Sequence, residues 1–191
     1  MRGREKFNKY QGILKILTSF YSIFPRRIRE KLFEHYRETK GIKGMAIRYA
    51  LLQTLAQHVG QNVSIHPNVY LFKIHNLSLG DNVSIHPLCY IDAAGCIDIG
   101  NDVSIAHDVS IISFNHGFDD LSVPIKDQEL IKKKILIKDN VWIGAKSTIL
   151  AGVTVYTGSV IGASSVVTHD VEENSVVVGS PARVIQNREN R

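Results

Sequence analysis

Histidine is the residue type in this chain best suited to acid–base chemistry, because an imidazole gains or loses its proton near neutral pH. The chain has eight histidines. One of them, His116, follows an asparagine and precedes a glycine at a point where a regular sequence pattern is interrupted. A neutral imidazole can remove the proton from a hydroxyl group, which is a poor nucleophile, as that group attacks a carbonyl carbon. His116 is therefore a candidate for such chemistry.

The composition is typical of one soluble domain with at most a small appendage, since 44% of the 191 residues are apolar and 21% are charged. No run of about 18 uncharged apolar residues occurs, so we expect neither a membrane-spanning helix nor a signal peptide. Cys89 and Cys96 are too few for a disulfide framework and lack the spacing of a zinc or redox motif. A reducing cytoplasm is therefore favoured.

The basic residues are concentrated at the beginning of the chain. Residues 1–58 carry a formal charge of +9, whereas residues 59–191 carry −4. A basic region of this kind can bind nucleic acid, an anionic lipid surface or an acidic polymer, and it can also be a solvated helix face.

A 20-residue repeat starts at Val59, and segments 59–78, 79–98 and 99–118 align without gaps. Within the repeat an aliphatic residue recurs every six positions, and Val, Ile or Leu occupies all fifteen of these positions. The series is Val59, Ile65, Leu71, Leu79, Ile85, Ile91, Ile99, Ile105, Ile111, Ile137, Ile143, Ile149, Val155, Ile161 and Val167. A coil of three short strands joined by tight turns has this period, and it places one aliphatic side chain per face inside a triangular prism.

The repeat is interrupted once, between Ile99 and Ile137, and the surplus residues follow His116. Long loops inside compact domains are uncommon unless they have a function. We predict a protruding loop over residues 117–134 within a β-helix over 59–185, followed by a tail over 186–191.

The first 58 residues have apolar positions at spacings near 3.6, which predicts two or three short helices. The last of them, from Met45 to Val59, is expected to cover the open end of the prism. The earlier helices carry Arg26, Arg27, Arg29 and Lys31 beside Phe20, Tyr21, Phe24 and Phe33. We expect residues 1–40 to make peripheral contact with an anionic membrane surface or a lipid-linked glycan.

Residues 137–185 closely resemble the hexapeptide-repeat acyltransferases, especially the branch of maltose, galactoside and colanic-acid O-acetyltransferases, and the likeness covers roughly residues 59–185. The resemblance implies a mainly β fold, a left-handed parallel β-helix with an N-terminal α-helical region. It also implies acetyl-CoA as co-substrate and a homotrimer with acetyl-CoA between neighbouring prisms. The expected activity is acetyl transfer to a sugar hydroxyl in polysaccharide, capsule or O-antigen biosynthesis, in the cytoplasm, with no metal and no nucleic-acid partner.

The same resemblance assigns roles to individual residues. The family's catalytic histidine, at the start of the protruding loop, corresponds to His116 in Asn115-His116-Gly117. The acetyl-CoA contacts of the family correspond to Ala145, Ala163, Thr168, His169 and Arg183. For Arg183 there is also a chemical argument, because a guanidinium can hold a phosphate of CoA by paired hydrogen bonds. Trp142 is a hallmark aromatic of the coil after the loop and is counted as a sixth acetyl-CoA contact, although packing is the default role of such a residue.

The acceptor side of this sequence departs from the family pattern. His86 stands where the maltose and galactoside branch has a sugar-binding asparagine, so their simple acceptors are not transferred to this chain. Asp92 lies near the same edge and either holds a substrate hydroxyl, orients a histidine or serves as a turn residue. With Asn115, these are the expected acceptor-binding residues.

Several alternatives remain open at this point. One is N-acetylation of an amino sugar or its nucleotide; another is serine acetyltransferase, although Ala93 replaces the histidine of that enzyme's Asp-His pair. A γ-type carbonic anhydrase is a lyase of the same fold, but no two histidines here are five residues apart. His66 and His86 would supply only two ligands for zinc. A scaffold without chemistry is the last alternative, and acetyl-CoA binding would distinguish it.

Overall fold

The computed structural model describes residues 3–190 as a helical N-terminal region followed by a parallel β-helix. The helices are α1 Gly3–Ser22, α2 Arg26–His35 and α3 Gly41–Leu55, with short 3₁₀ turns at Tyr36–Glu38, Ile74–Asn76, Ile125–Asp127 and Arg188–Asn190. The strands are β1 His58–Val59, β2 Ser64–Ile65, β3 Tyr70–Phe72, β4 Leu77–Leu79, β5 Ser84–Ile85, β6 Tyr90–Asp92, β7 Ile97–Ile99, β8 Ser104–Ile105, β9 Ser110–Ile112, β10 Phe114–His116, β11 Leu130–Lys132, β12 Ile135–Ile137, β13 Trp142–Ile143, β14 Thr148–Ile149, β15 Thr154–Val155, β16 Val160–Ile161, β17 Val166–Val167, β18 Ser175–Gly179 and β19 Ala182–Asn187.

Three parallel sheets form the faces of the prism, and each coil of the chain contributes one strand to each sheet. The first sheet has the order β1-β4-β7-β12-β15, the second β2-β5-β8-β13-β16-β18 with β19 at its edge, and the third β3-β6-β9-β14-β17. Equivalent residues pair one coil apart, as Ile65 with Ile85 and Ile85 with Ile105. This register matches the 20-residue sequence repeat.

The core of the prism is the aliphatic series predicted from the six-residue period. Fourteen of the fifteen residues are buried, and Leu71 is half-buried against the same cluster. The small residues four positions later fill the corners, where Val69, Val83 and Cys89 are fully buried. Each coil therefore buries a layer of branched side chains, which is why the period persists along the sequence.

The corner between the first and second sheets is held by a ladder of side-chain amides. Asn62 Nδ2 donates to Asn82 Oδ1 at 3.0 Å, and Asn82 Nδ2 donates to Asp102 Oδ1 at 3.0 Å. All three residues have left-handed backbone conformations, with φ between 54° and 59°. Asn and Asp tolerate this conformation better than other residues with a side chain, so the turns repeat them.

Helix α3 closes the end of the prism at which the first coil lies. A coil with no preceding neighbour leaves backbone carbonyls without donors, as at any sheet edge. Gln53 Nε2 donates to the carbonyl of Val59 at 2.9 Å, and Arg48 Nε donates to that of Ile65 at 2.9 Å. Tyr49 donates to Gly60 at 3.2 Å. The helix thus supplies hydrogen bonds as well as apolar cover.

Arg48 is the most deeply buried charged residue of this cap, with no solvent exposure. Its Nη1 also donates to the carbonyls of Tyr36 and Thr39, both at 2.8 Å, where the chain leaves α2. Burial lowers the pKa of Arg48 from its usual value. Arg48 therefore joins α2, α3 and the first coil.

The helical region differs from the sequence expectation in two respects. The last helix ends at Leu55 rather than at Val59, because Val59 provides the first inward position of the β-helix in β1. Tyr21 and Phe33 are buried against α3 instead of facing outward, and Arg29 donates to the carbonyl of Thr54 at 2.5 Å. Within the described residues, none of the helices is long and apolar enough to cross a bilayer.

The insertion in the third coil is an antiparallel hairpin rather than a loop that starts at residue 117. Strand β10 pairs with β11, so Asn115 faces Ile131 and His116 faces Leu130. Lys133 N–H donates to the carbonyl of Ser113 at 3.0 Å at the base of the hairpin. A side chain at Gly95 would collide with these backbone atoms, which explains a glycine at this corner.

The chain also turns back at its end. Strands β18 and β19 form an antiparallel pair, and β19 continues to Asn187, past the expected start of the tail at residue 186.

Candidate active site

The prism edge between the second and third sheets, which we call corner 2/3, carries one residue of each coil in a single column. Each donates its backbone N–H to the next coil at 2.8–3.0 Å. The column runs His66, His86, Ala106, Gly144 and Gly162. Side chains are therefore large and polar on the first two coils and small on the later ones. A long, thin ligand could lie against the backbone only in the later part.

Three of the six residues expected to contact acetyl-CoA lie along corner 2/3. Ala145 and Ala163 follow the glycines of the column, and Ser164 N–H donates to the carbonyl of Ala145 at 2.8 Å. Arg183 pairs with Val178, which packs against Gly162. The guanidinium of Arg183 is exposed and, among the described residues, donates to the neighbouring carbonyl of Ala182 alone, at 2.9 Å, which leaves donors for a ligand.

The prism edge between the third and first sheets, corner 3/1, carries most of the other expected site residues, but not His86 or Trp142. Phe72, Asp92 and Ile112 are in register on adjacent strands of the third sheet. Thr168 follows β17 at the same corner, and its hydroxyl lies 2.8 Å from His169 Nδ1. The hairpin leaves from this corner directly after Ser113.

His116 is exposed on the hairpin strand β10, beside Asn115. Its ring lies 6.5 Å from the ring of Phe114, in an edge-on arrangement. Among the described residues, no side-chain hydrogen bond ties up its imidazole. The ring is therefore accessible to a substrate in the isolated chain.

One copy of the chain does not bring all expected site residues together. The third sheet separates the two corners, and the five steps from Ala163 to Thr168, which include a turn at Ser164, span up to roughly 16 Å at about 3.3 Å per residue. His86, Ala145 and Ala163 lie on one edge, whereas His116 and Asp92 lie on the other. A site that uses both edges needs two copies of the chain.

His86 stacks on His66 of the preceding coil, with ring centroids 4.7 Å apart and an interplanar angle of 15°. Burial lowers the pKa of His66, and His86 and Arg48 lower it further. The lowered pKa favours the neutral form of His66, whose ring stacks on that of His86 at corner 2/3.

Asp92 has a structural hydrogen bond that fits the turn interpretation. Its Oδ1 accepts from the backbone N–H of Ala94 at 3.0 Å, and its carbonyl accepts from the Ser113 hydroxyl at 2.7 Å. Ser113 Oγ in turn accepts from Gly95 N–H at 2.8 Å. Asp92 thus helps to fix the base of the hairpin that carries His116.

Sequence reasoning missed an aromatic surface on the outer side of the third sheet. Tyr70, Phe72 and Tyr90 are 38%, 42% and 38% exposed, and the rings of Phe72 and Tyr90 are 4.9 Å apart. Arg37 lies over the ring of Tyr70 at 4.2 Å. The sequence did contain a signal for this surface, because Tyr70 and Tyr90 are 20 residues apart and each directly precedes an inward position of the repeat.

Trp142 does not pack into the core. It is 55% exposed and lines a groove of about 540 Å³ on the outer side of the second sheet. Val160, Val176 and Arg188 line the same groove.

Sequence reasoning also missed His107. This histidine is exposed beside the column of corner 2/3, where Lys146 N–H donates to its carbonyl at 3.0 Å. In the part of the chain that the structure describes, no three His, Cys, Asp or Glu side chains are grouped to hold a metal ion.

Comparison with protein families places these features in a known group. The model of the bacterial transferase hexapeptide (six repeats) matches residues 134–169. The galactoside O-acetyltransferase of Escherichia coli is 34% identical over 174 residues, covering 90% of this chain and 84% of that protein. The chain belongs to the hexapeptide-repeat transferase family.

Other relatives match over shorter stretches. A Mycobacterium tuberculosis protein named as a probable acetyltransferase is 42% identical over 79 residues, which are 41% of this chain and 26% of that protein. An Escherichia coli protein named for O-acetyl transfer in lipopolysaccharide biosynthesis is 36% identical over 89 residues, 43% of this chain and 45% of that one. The chain thus spans a quarter to a half of the length of these two relatives.

Solved structures share the architecture over most of the chain. A maltose O-acetyltransferase from Clostridium difficile has a TM-score of 0.75 and 30% identity, and the match covers 85% of each chain. A galactoside acetyltransferase in complex with coenzyme A has a TM-score of 0.76 and 29% identity, covering 85% of this chain and 80% of that one. The predicted fold, a left-handed parallel β-helix with N-terminal helices, is confirmed.

Proposed function

We propose that this protein transfers an acetyl group from acetyl-CoA to a hydroxyl group of a sugar, in the biosynthesis of a polysaccharide, capsule or O-antigen. The observation that carries the proposal is the placement of His116 on an exposed hairpin at corner 3/1, together with the small-residue column at corner 2/3. The whole-length relationship to an O-acetyltransferase and the coenzyme A bound to a related structure support it.

In this proposal His116 is the general base. Its neutral imidazole accepts the proton of the acceptor hydroxyl while the hydroxyl oxygen forms a bond to the thioester carbonyl carbon. The tetrahedral intermediate then collapses, the carbon–sulfur bond breaks, and the imidazolium returns its proton to the departing CoA thiolate. The products are the acetyl ester and CoA, and the histidine ends neutral.

The pantetheine arm of acetyl-CoA is proposed to lie along corner 2/3 against Ala145 and Ala163, where a larger side chain would occupy its path. Arg183 binds a phosphate of CoA through its free guanidinium donors. Trp142, Thr168 and His169 complete the cofactor contacts. On the acceptor side, His86, Asp92 and Asn115 bind the sugar, and the aromatic surface of Tyr70, Phe72 and Tyr90 offers a stacking face for it.

The proposed assembly is a homotrimer in which one copy supplies corner 2/3 and its neighbour supplies the hairpin. The separation of the two corners by up to roughly 16 Å in one chain supports this arrangement. The same proposal places the protein in the cytoplasm with peripheral contact to an anionic membrane.

The shared site predicts complementation between two inactive variants. Light scattering should give a particle of three times the chain mass of 21.4 kDa. His116→Ala and Ala163→Trp should each abolish most activity, whereas trimers formed from an equal mixture should recover about a quarter of the parental activity, because some sites combine two intact parts. No recovery in mixed trimers, or a monomer at micromolar concentration, would contradict the arrangement.

His86 is predicted to act on acceptor binding rather than on chemistry. His86→Ala should raise the acceptor KM about three- to tenfold, the effect of one lost hydrogen bond, with little change in kcat or in acetyl-CoA affinity. Steady-state kinetics with both substrates varied would measure it, with His58→Ala as an exposed control on the first sheet. A fall in kcat alone would argue against an acceptor role.

The direct test of the function is acetyl transfer from labelled acetyl-CoA to a panel of glycans. Release of the label by mild base identifies an ester, whereas a base-stable product identifies N-acetylation. L-Serine in the same assay tests the cysteine-biosynthesis alternative. Failure to bind acetyl-CoA in calorimetry would overturn the proposal in favour of a scaffold.

A further inference from the structure

Four large apolar side chains lie exposed in a row on α1 and the turn that follows it. Ile13, Ile16, Phe20 and Ile23 are 56%, 70%, 52% and 77% exposed. Their spacings of three and four residues place them on one side of the helix, and the row is about 15 Å long at 1.5 Å per residue. We call this row the α1 stripe.

The α1 stripe is not the side of the helix that holds α1 in the fold. Leu14 and Tyr21, each 8% exposed, form the inner side and belong to the core cluster together with residues of α3. The helix is therefore apolar on two sides, one of which has no cover within the described chain. Clustered large apolar side chains at a surface mark a site of interaction.

The exposed charges that precede and follow the stripe in the chain indicate which partner covers it. Lys9 lies one turn before Ile13, and Arg27 and Lys31 are exposed in α2 beside Ile28, which is 43% exposed. Glu30 is already paired with Arg26 at 2.8 Å. A second copy of this region would carry the same +9 charge and repel it, whereas anionic lipid headgroups would complement it.

We infer that the α1 stripe docks onto an anionic lipid surface, with Lys9, Arg27 and Lys31 at the headgroups. This names the contact face within the proposed membrane association, and it does not depend on the acetyl-transfer chemistry.

The docking face lies near the candidate active site. Arg26 Nη2 is 2.9 Å from His75 Nδ1, and this contact joins the start of α2, three residues after Ile23, to the first coil at corner 3/1. The hairpin with His116 leaves the same corner two coils further along, a rise of about 10 Å. A sugar attached to a lipid at this surface would therefore lie on the same side of the prism as His116.

Vesicle sedimentation of the full-length protein tests the inference. The protein should sediment at low salt with vesicles of equimolar phosphatidylglycerol and phosphatidylcholine, but not with phosphatidylcholine alone, and salt should release it. The double variant Ile16→Ser, Ile23→Ser should weaken binding at least tenfold. Lys9→Gln and Arg27→Gln should each weaken it about fivefold.

Matched controls lie on the β-helix. Tyr156→Ser removes an apolar side chain that is 44% exposed, and Lys138→Gln removes an exposed charge, and neither should change vesicle binding. Equal binding by the parent and the stripe variant would overturn the inference, as would no binding to anionic vesicles at low salt. A change in oligomeric state without a change in vesicle binding would instead identify the stripe as a contact between copies. Unchanged acetyl transfer to a soluble glycan in all variants separates this result from a failure of the proposed function.

Discussion

Replacing His116 with alanine is expected to lower kcat by about a hundred- to ten-thousand-fold, because the variant loses the base that takes the hydroxyl proton. The side chain is exposed on β10 and supports no core contact, so the fold and the melting temperature should not change. The affinity for acetyl-CoA should also stay within about twofold, since His116 is not among the proposed cofactor contacts. Single-turnover kinetics and calorimetry would measure the two effects separately.

A matched control gives a second test of the same assignment. His58→Ala removes another exposed histidine, which lies on the first sheet, and it should keep the parental rate. Activity of His116→Ala within about threefold of the parent would remove His116 from the mechanism.

Replacing Arg48 with methionine is expected to reduce the free energy of unfolding by about 3 kcal/mol. The change leaves the carbonyls of Ile65, Tyr36 and Thr39 without their donor, the first in a buried and the other two in partly buried positions. A buried unsatisfied group costs about 1–3 kcal/mol, the partly buried ones cost less, and relief of the buried charge offsets part of the total. For a chain of this size the melting temperature should fall by about 6–12 °C. Urea unfolding and calorimetry would measure both quantities.

Two further variants separate the hydrogen bonds from the charge. Arg48→Lys keeps a charge but cannot reach several carbonyls at once, so it should be destabilised nearly as much. Lys43→Met alters an exposed residue of the same helix and should stay within about 0.5 kcal/mol of the parent. If Arg48→Met has the same free energy of unfolding as the parent, then water or backbone donors satisfy the carbonyls of Ile65, Tyr36 and Thr39 in the variant.

The residues proposed for the site could be named from the sequence in part. His116 was placed by the interruption of the repeat, and Ala145, Ala163 and Arg183 by their motifs, and these roles stay predictions. The aromatic surface of Tyr70, Phe72 and Tyr90 was missed, because outward positions of a β-helix follow no strict residue type.

The sequence by itself determined the β-helix. Every coil must bury one aliphatic side chain on each of its three faces. Val59, Ile65 and the equivalent residues therefore recur every six positions along the sequence. It also located the insertion, since a break in a strict period has to lie between two known positions.

Only the tertiary structure decided how the ends and edges of this prism are completed. The basic residue Arg48 looks like any other charge of the first region, yet its guanidinium is buried and donates to carbonyls of two separate segments, the turn after α2 and the first coil. The pairing of β10 with β11 and the exposed α1 stripe were hidden in the same way. These features depend on contacts that occur once and join distant segments, and a contact that is not repeated leaves no period in the sequence.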